Sequence, residues 1–242
     1  MPVASFDQYV AALEERHLAD LRFSDVTRAL RALSSTYVER RETALATHKA
    51  LDGAGKRAAF ALYYGPLHFL LIDHIAREFG LQLAPGVVVD LGCGTGVAGA
   101  ALAASTPHAS ALGIDSHPWA IDEARFTYKA FGVRADVRRG HAAKMRFPND
   151  TSIVVAAFVV NELTDSDRAQ LLTNLHGKRA LIIEPISQRI SPWWDTWADA
   201  FTKMGGRADT WKARIDAPPI VKKLAKASGL RPELLTARSL FV

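Results

Sequence analysis

The chain has 242 residues, enough for one α/β domain with a smaller appendage and a sizeable core. Its single cysteine, Cys93, excludes an internal disulfide and any multi-cysteine metal site, which fits a reducing cytoplasm. The formal net charge is +5, and residues 1–80 carry equal numbers of acidic and basic side chains, so the excess belongs to the remainder. Basic residues gather around Arg134, Arg138, Arg139, Lys144 and Arg146, and again from Lys203 to Arg231. That distribution suits an anionic partner such as RNA, or simply a solvated surface on a basic protein.

Residues 1–80 read as helices. Phe6, Tyr9, Val10 and Leu13 recur at helical spacing, as do Val26, Leu30, Leu33 and Tyr37, with Ser24-Asp25 as a cap. A turn at Asp52-Gly53-Ala54-Gly55 precedes a third helical region, Lys56 to Gly80, expected to kink at Gly65-Pro66. Its apolar stretch, Phe60 to Ile75, is interrupted by that pair and by His68, Asp73 and His74, so neither a membrane span nor an opening signal peptide is expected. Arg57, Tyr64 and His68 cluster about the kink and are substrate-binding candidates if this segment covers a cleft; helix packing explains the same residues without function.

Val87 to Asp90 is a short run of β-branched residues bounded by Pro85-Gly86, as in a buried parallel strand. Gly92, Cys93, Gly94, Thr95 and Gly96 follow, and Val97 to Ala104 forms a helix whose unpaired N–H groups point back at the loop. Strand, acid, glycine loop and helix, written DLGCGTG, resemble motif I of class I S-adenosylmethionine-dependent methyltransferases. The resemblance implies a Rossmann-like seven-stranded α/β sheet with helices on both faces over residues 81–242, preceded by the all-helical segment 1–80. It also implies S-adenosylmethionine as cofactor, with the glycine loop taking its methionine part and Asp90 ordering that loop. Gly94 to Gly99 also satisfies a G-x-G-x-x-G dinucleotide fingerprint, but the glycine that closes the strand is Gly92, and counting from it puts Val97 where a third glycine or alanine belongs.

Ala111 to Asp115 forms the next strand, and its acid is placed to accept from two ribose hydroxyls, the use the family makes of that position. Ser116 follows, and Trp119 offers either a face for adenine or a core contact. A third strand, Val133 to Val137, leads to Gly140-His141-Ala142, where relatives carry Gly-Asp-Ala at the adenine; a neutral imidazole can still accept one hydrogen bond. Ser152 to Ala157 is a fourth strand, running into Phe158, a cofactor-binding candidate, and then Asn161 and Glu162. This is where methyl acceptors sit in the class, so Asn161 and Glu162 are catalytic candidates for orienting an acceptor or taking its proton. Glu162 also has an innocent reading as a helix N-terminal acid before the Thr164-Asp165-Ser166-Asp167 cap.

A fifth strand, Arg179 to Ile183, ends at Glu184-Pro185. A Trp-rich helix, Ile190 to Met204, a strand over 208–215, a helix over 219–228 and a closing strand over 234–242 complete the pattern. No Asn/Asp-Pro-Pro-aromatic run follows the fourth strand and the lone cysteine lies in the glycine loop, so neither nucleobase-amine nor cytosine C5 methylation is favoured. The helical segment with FVVNEL and IIEP is also similar to the methyltransferase-like family of the mitochondrial ribosomal small subunit and its bacterial relatives, without that family's cysteine cluster. The expected acceptor is a small molecule enclosed by the helices; the alternative is an RNA methyltransferase or an assembly factor with little turnover. The acceptor atom and the oligomeric state stay open.

Overall fold

A computed structural model describes residues 6–39 and 51–242, and the backbone alone for residues 35–39; the side chain of Tyr37 therefore lies outside the described residues. Helices α1 (Phe6–Leu18) and α2 (Phe23–Glu39) come first. A further helical stretch comprises α3 (Ala54–Ala59), a π-helical turn (Phe60–Tyr64) and α4 (Gly65–Glu78). The Rossmann-like part follows as β1 (Val87–Leu91), α5 (Val97–Ala103), β2 (Ser110–Asp115), α6 (Pro118–Ala130), β3 (Arg134–Arg139) and β4 (Thr151–Ala157). It continues with α7 (Asp165–Asn174), β5 (Ala180–Glu184), α8 (Trp194–Lys203), β6 (Arg207–Arg214), α9 (Pro219–Ser228) and β7 (Leu234–Phe241).

The seven strands lie in the order β3-β2-β1-β4-β5-β7-β6. All pairs are parallel except those of β7, which runs antiparallel to β5 and to β6. This is the sheet expected from the motif. Side chains alternate between faces with period two: Val88, Ile153, Val155, Leu181 and Ile183 pack toward α4 and α5, while Val89, Val154, Ala156 and Ile182 pack toward α7 and α8. Burial on both faces explains why β1, β4 and β5 read as unbroken apolar runs.

The helical segment is tied down by packing and charge. Tyr9, Leu13, Leu30 and Leu33 are buried in one cluster with α6 and α9. Glu123 of α6, fully buried, accepts from Arg16 at 3.3 Å and lies 2.7 Å from His17 Nε2. The expected kink at Gly65-Pro66 is instead a π turn within an otherwise continuous helix, with the Gly65 N–H bonded to the Phe60 carbonyl. Proline at 66 donates no N–H, and widening the preceding turn relieves the crowding its ring would cause in an α-helix.

Strand order reverses between β2-β1 and β4-β5, so the crossovers leave β1 and β4 in opposite directions. A cleft opens beyond the carboxyl ends of strands at such a switch point.

Candidate active site

A cavity of about 750 Å³ occupies that cleft. At one end its wall is the loop after β1. Gly92, Gly94 and Gly96 all have positive φ, for different reasons. A Cβ on Gly92 would sit 2.2 Å from Val159 Cγ2, and one on Gly96 would sit 2.9 Å from Ala124 Cα, so both are required by protein packing. A Cβ on Gly94 meets nothing nearer than the Gly92 carbonyl at 3.9 Å and would fill open space beside the cavity. Only that glycine keeps room for a ligand.

Asp115 ends β2 and fixes the loop. One carboxylate oxygen accepts from Gly94 N–H at 2.9 Å and the other from His117 N–H at 2.8 Å; each can accept a second bond, and the residue lines the cavity. Asp90 is 1% exposed; one oxygen accepts from Gly99 N–H and from the Tyr128 hydroxyl, both at 2.8 Å, while its Oδ1 is buried without a partner. Burial, only partly offset by those two bonds, pushes its carboxyl up to about 7. Cys93, Thr95, Ser116 and Ala142 also line the wall.

Three sequence expectations change here. Trp119 is absent from the wall; its ring meets Phe60 edge-on at 6.3 Å, a packing contact. Arg57 is absent too, its side chain spent on the Leu51 carbonyl at 2.9 Å. His141 lines the cavity, but its Nδ1 accepts from Ala143 N–H at 3.3 Å and caps a 3₁₀ turn, Ala142–Lys144. Its Nε2 lies 3.7 Å from Asp167, and the nitrogen expected to accept from adenine is already engaged by Ala143.

The other end is assembled from distant segments. Tyr64 and His68 project from the π turn and α4 beside Phe60, Tyr63 and Leu67. His68 stacks on Phe158 with ring centroids 4.3 Å apart, and burial pushes its imidazole down to about 4. Phe158 has φ of 61°, a strained conformation for an aromatic residue, and its N–H is bonded to the Ile183 carbonyl at 2.8 Å.

Asn161 and Glu162 lie in a 3₁₀ turn, Val160–Glu162, ahead of α7, whose own N-cap is Thr164, bonded to Asp167 N–H at 3.2 Å. Glu162 thus precedes the capped helix rather than capping it, and both residues line the cavity. Burial, and then the charge of Asp115, raises the Glu162 carboxyl to about 8. Asn161 Oδ1 is buried and unpartnered.

Sequence reasoning missed what holds this turn. Glu184, fully buried at the end of β5, accepts from Val160 N–H at 2.8 Å and Asn161 N–H at 3.3 Å with one oxygen. Arg168 of α7 donates to the carbonyls of Val160 and Leu163. Desolvation pushes the Glu184 carboxyl up to about 8, so the protonated acid persists at neutral pH. An acid closing an otherwise apolar strand beside a proline was the available signal.

The sheet order, switch-point cleft and glycine loop are those of the class I methyltransferase fold. Residues 88–178 match the family model described as a methyltransferase domain. Trans-aconitate 2-methyltransferase of Pseudomonas aeruginosa is 32% identical over 138 residues, 56% of this chain and 46% of that protein, so the match spans about half of the curated relative. A solved structure from Nostoc punctiforme PCC 73102, provisionally named an O-methyltransferase, aligns with a TM-score of 0.55 and 16% identity over 94% of this chain and 72% of its own. The pyocyanin biosynthetic protein PhzM aligns with a TM-score of 0.50 and 18% identity over 87% of this chain and 66% of its own. At these identities the two structures speak for the fold alone. Among the described residues no helix is long and apolar enough to cross a membrane, and no group of His, Cys, Asp or Glu could hold a metal.

Proposed function

We propose that this chain transfers the methyl group of S-adenosylmethionine to a small-molecule acceptor. The observation that carries the reading is one cavity joining two chemistries: the Asp115 carboxylate and glycine loop at one end, Asn161 and Glu162 at the other. A sulfonium nucleoside fits the first end. The free lone pairs of Asp115 suit the ribose hydroxyls, and the open space at Gly94 suits the methionine part. When bound, the cofactor supplies a methyl carbon activated by its sulfonium leaving group, so the protein need only align the acceptor and exclude water.

Asn161, whose side chain lines the same cavity, orients the acceptor. Glu162 takes the acceptor's proton on its carboxylate, whose raised pKa makes it a stronger base once ionised. Rings from the helical segment line the same cavity.

Calorimetric titration with S-adenosylmethionine, S-adenosylhomocysteine and NAD tests the reading. Micromolar affinity for the first two with none for NAD supports it; binding of NAD alone overturns it. The competing reading, an RNA acceptor or an assembly role, is favoured by the exposed Lys222, Lys223 and Lys226 of α9 near Arg231 on the cavity rim. It predicts RNA affinity that falls steeply with salt.

A further inference from the structure

The acceptor compartment is built for a particular kind of molecule. From the helical side it is walled by five rings in sequence of contact: Phe60 to Tyr64 at 5.6 Å between centroids, Tyr63 to Tyr64 at 5.1 Å, Tyr64 to His68 at 6.0 Å and His68 to Phe158 at 4.3 Å. Opposite them the segment after β5 brings Pro185, Ile186 and Ile190, and Ile186 is 45% exposed at the cavity mouth although it is a large aliphatic side chain. Among the described residues the wall holds one arginine or lysine, Arg231, which is exposed at the rim. Beside these rings the Glu162 carboxyl also lines the cavity, with the Asn161 side chain next to it.

These features select together. Aromatic walls favour a flat π-surface over a flexible chain. A carboxyl in such a surround is served by a donor from the ligand, because leaving it unpaired is costly. A polyanion would lose its hydration among apolar walls without a buried cation to replace it. Resting on the methyl-transfer reading above, we infer that the methyl acceptor is an uncharged, flat aromatic molecule bearing a hydroxyl group. The hydroxyl donates to the Glu162 carboxyl, and the rings lie against the His68–Phe158 stack. The low pKa of His68 and the high pKa of Glu162 agree with this, since both side chains are predominantly neutral at pH 7. The inference departs from the tricarboxylate named for the Pseudomonas aeruginosa relative.

The experiment uses the full chain loaded with S-adenosylhomocysteine, probed by calorimetry with 2-naphthol and 4-phenylphenol and, in parallel, with trans-aconitate and a short RNA. Methyl transfer from S-adenosylmethionine to each probe is followed by mass spectrometry. The expected result is binding and methyl-ether formation with at least one phenol and neither with trans-aconitate. His68→Ala should lower phenol affinity about tenfold, as loss of an aromatic contact predicts, with S-adenosylhomocysteine affinity unchanged. Protein that binds S-adenosylhomocysteine but neither phenol, or that methylates trans-aconitate or RNA instead, overturns the acceptor class and leaves the donor reading standing. Failure to bind S-adenosylhomocysteine overturns the donor reading and the inference with it.

Discussion

The two ends of the cavity are built on opposite plans. The glycine-loop end is local: Asp90 to Gly96 are contiguous, and the Asp115 carboxylate binds the backbone N–H groups of Gly94 and His117. The opposite end is composite, drawing Tyr64 and His68 from the helical segment, Phe158 to Glu162 from beyond β4, and Glu184 from β5. A local site made of backbone is fixed once its strand and turn form. A composite site depends on every element that frames it, so it can change its ligand by side-chain substitution while the first end stays the same.

The variant expected to break both ends at once is Gly92→Ala. Its methyl would fall 2.2 Å from Val159 Cγ2 at φ of 59°, displacing the residue that leads into the Asn161–Glu162 turn. Overpacking and backbone strain together predict a loss of about 3 kcal/mol in urea unfolding and loss of activity. Wild-type stability in this variant would separate the loop from the turn.

Glu162→Gln should damage the composite end alone, lowering kcat about a hundredfold with S-adenosylhomocysteine affinity retained. In the wild type, turnover should rise with pH as Glu162 ionises near 8, because the titratable groups near it are the carboxyls of Asp115 and Glu184, which hold its own carboxyl up, and His68 on the facing helix is neutral there. The glutamine variant should lose that rise. Asp115→Ala should act conversely, weakening S-adenosylhomocysteine by about 2 kcal/mol, in the range of hydrogen bonds to charged groups. Because Asp115 also ties down Gly94 and His117, some stability goes with it, more than a purely ligand-facing acid would cost.

Glu184 gives a finer test. Alanine leaves the N–H groups of Val160 and Asn161 without their acceptor and should lower kcat about tenfold through misplacement of the turn, whereas glutamine, which keeps a carbonyl there, should restore most of it. Its raised pKa means that the folded state favours the protonated acid. This stabilisation is fully present below the ordinary carboxylate range and is lost as pH rises through about 8, so Glu184→Gln should flatten the decline in stability between pH 5 and 9. The smallest effect belongs to Tyr128→Phe. Asp90 keeps its bond from Gly99, and about 1 kcal/mol of stability should be lost.

The same contrast decides what could be read from the sequence. The strands around Val87–Leu91, the glycine turn and Asp115 were legible because burial on both faces leaves an unbroken apolar run and a tight turn leaves glycines. The π turn was not: Gly65-Pro66 announces a disturbed helix, but whether the chain kinks or widens depends on the neighbours packed around it. His141 reads as a free acceptor in one dimension and proves to be a cap in three, because the N–H it serves is only two residues away. Trp119 and Arg57 were chosen by chemistry near the site, and packing directs them elsewhere. Glu184 was invisible as a positioning group because its partners lie more than twenty residues back, across a strand pairing that the sequence does not spell out.

The division of the cavity is tested most directly by titrating wild type, Asp115→Ala and Glu162→Gln with S-adenosylhomocysteine in a single calorimetric series. The structure predicts that affinity falls sharply in Asp115→Ala and is unchanged in Glu162→Gln. Equal losses in both, or a loss confined to Glu162→Gln, would contradict the assignment of the two ends.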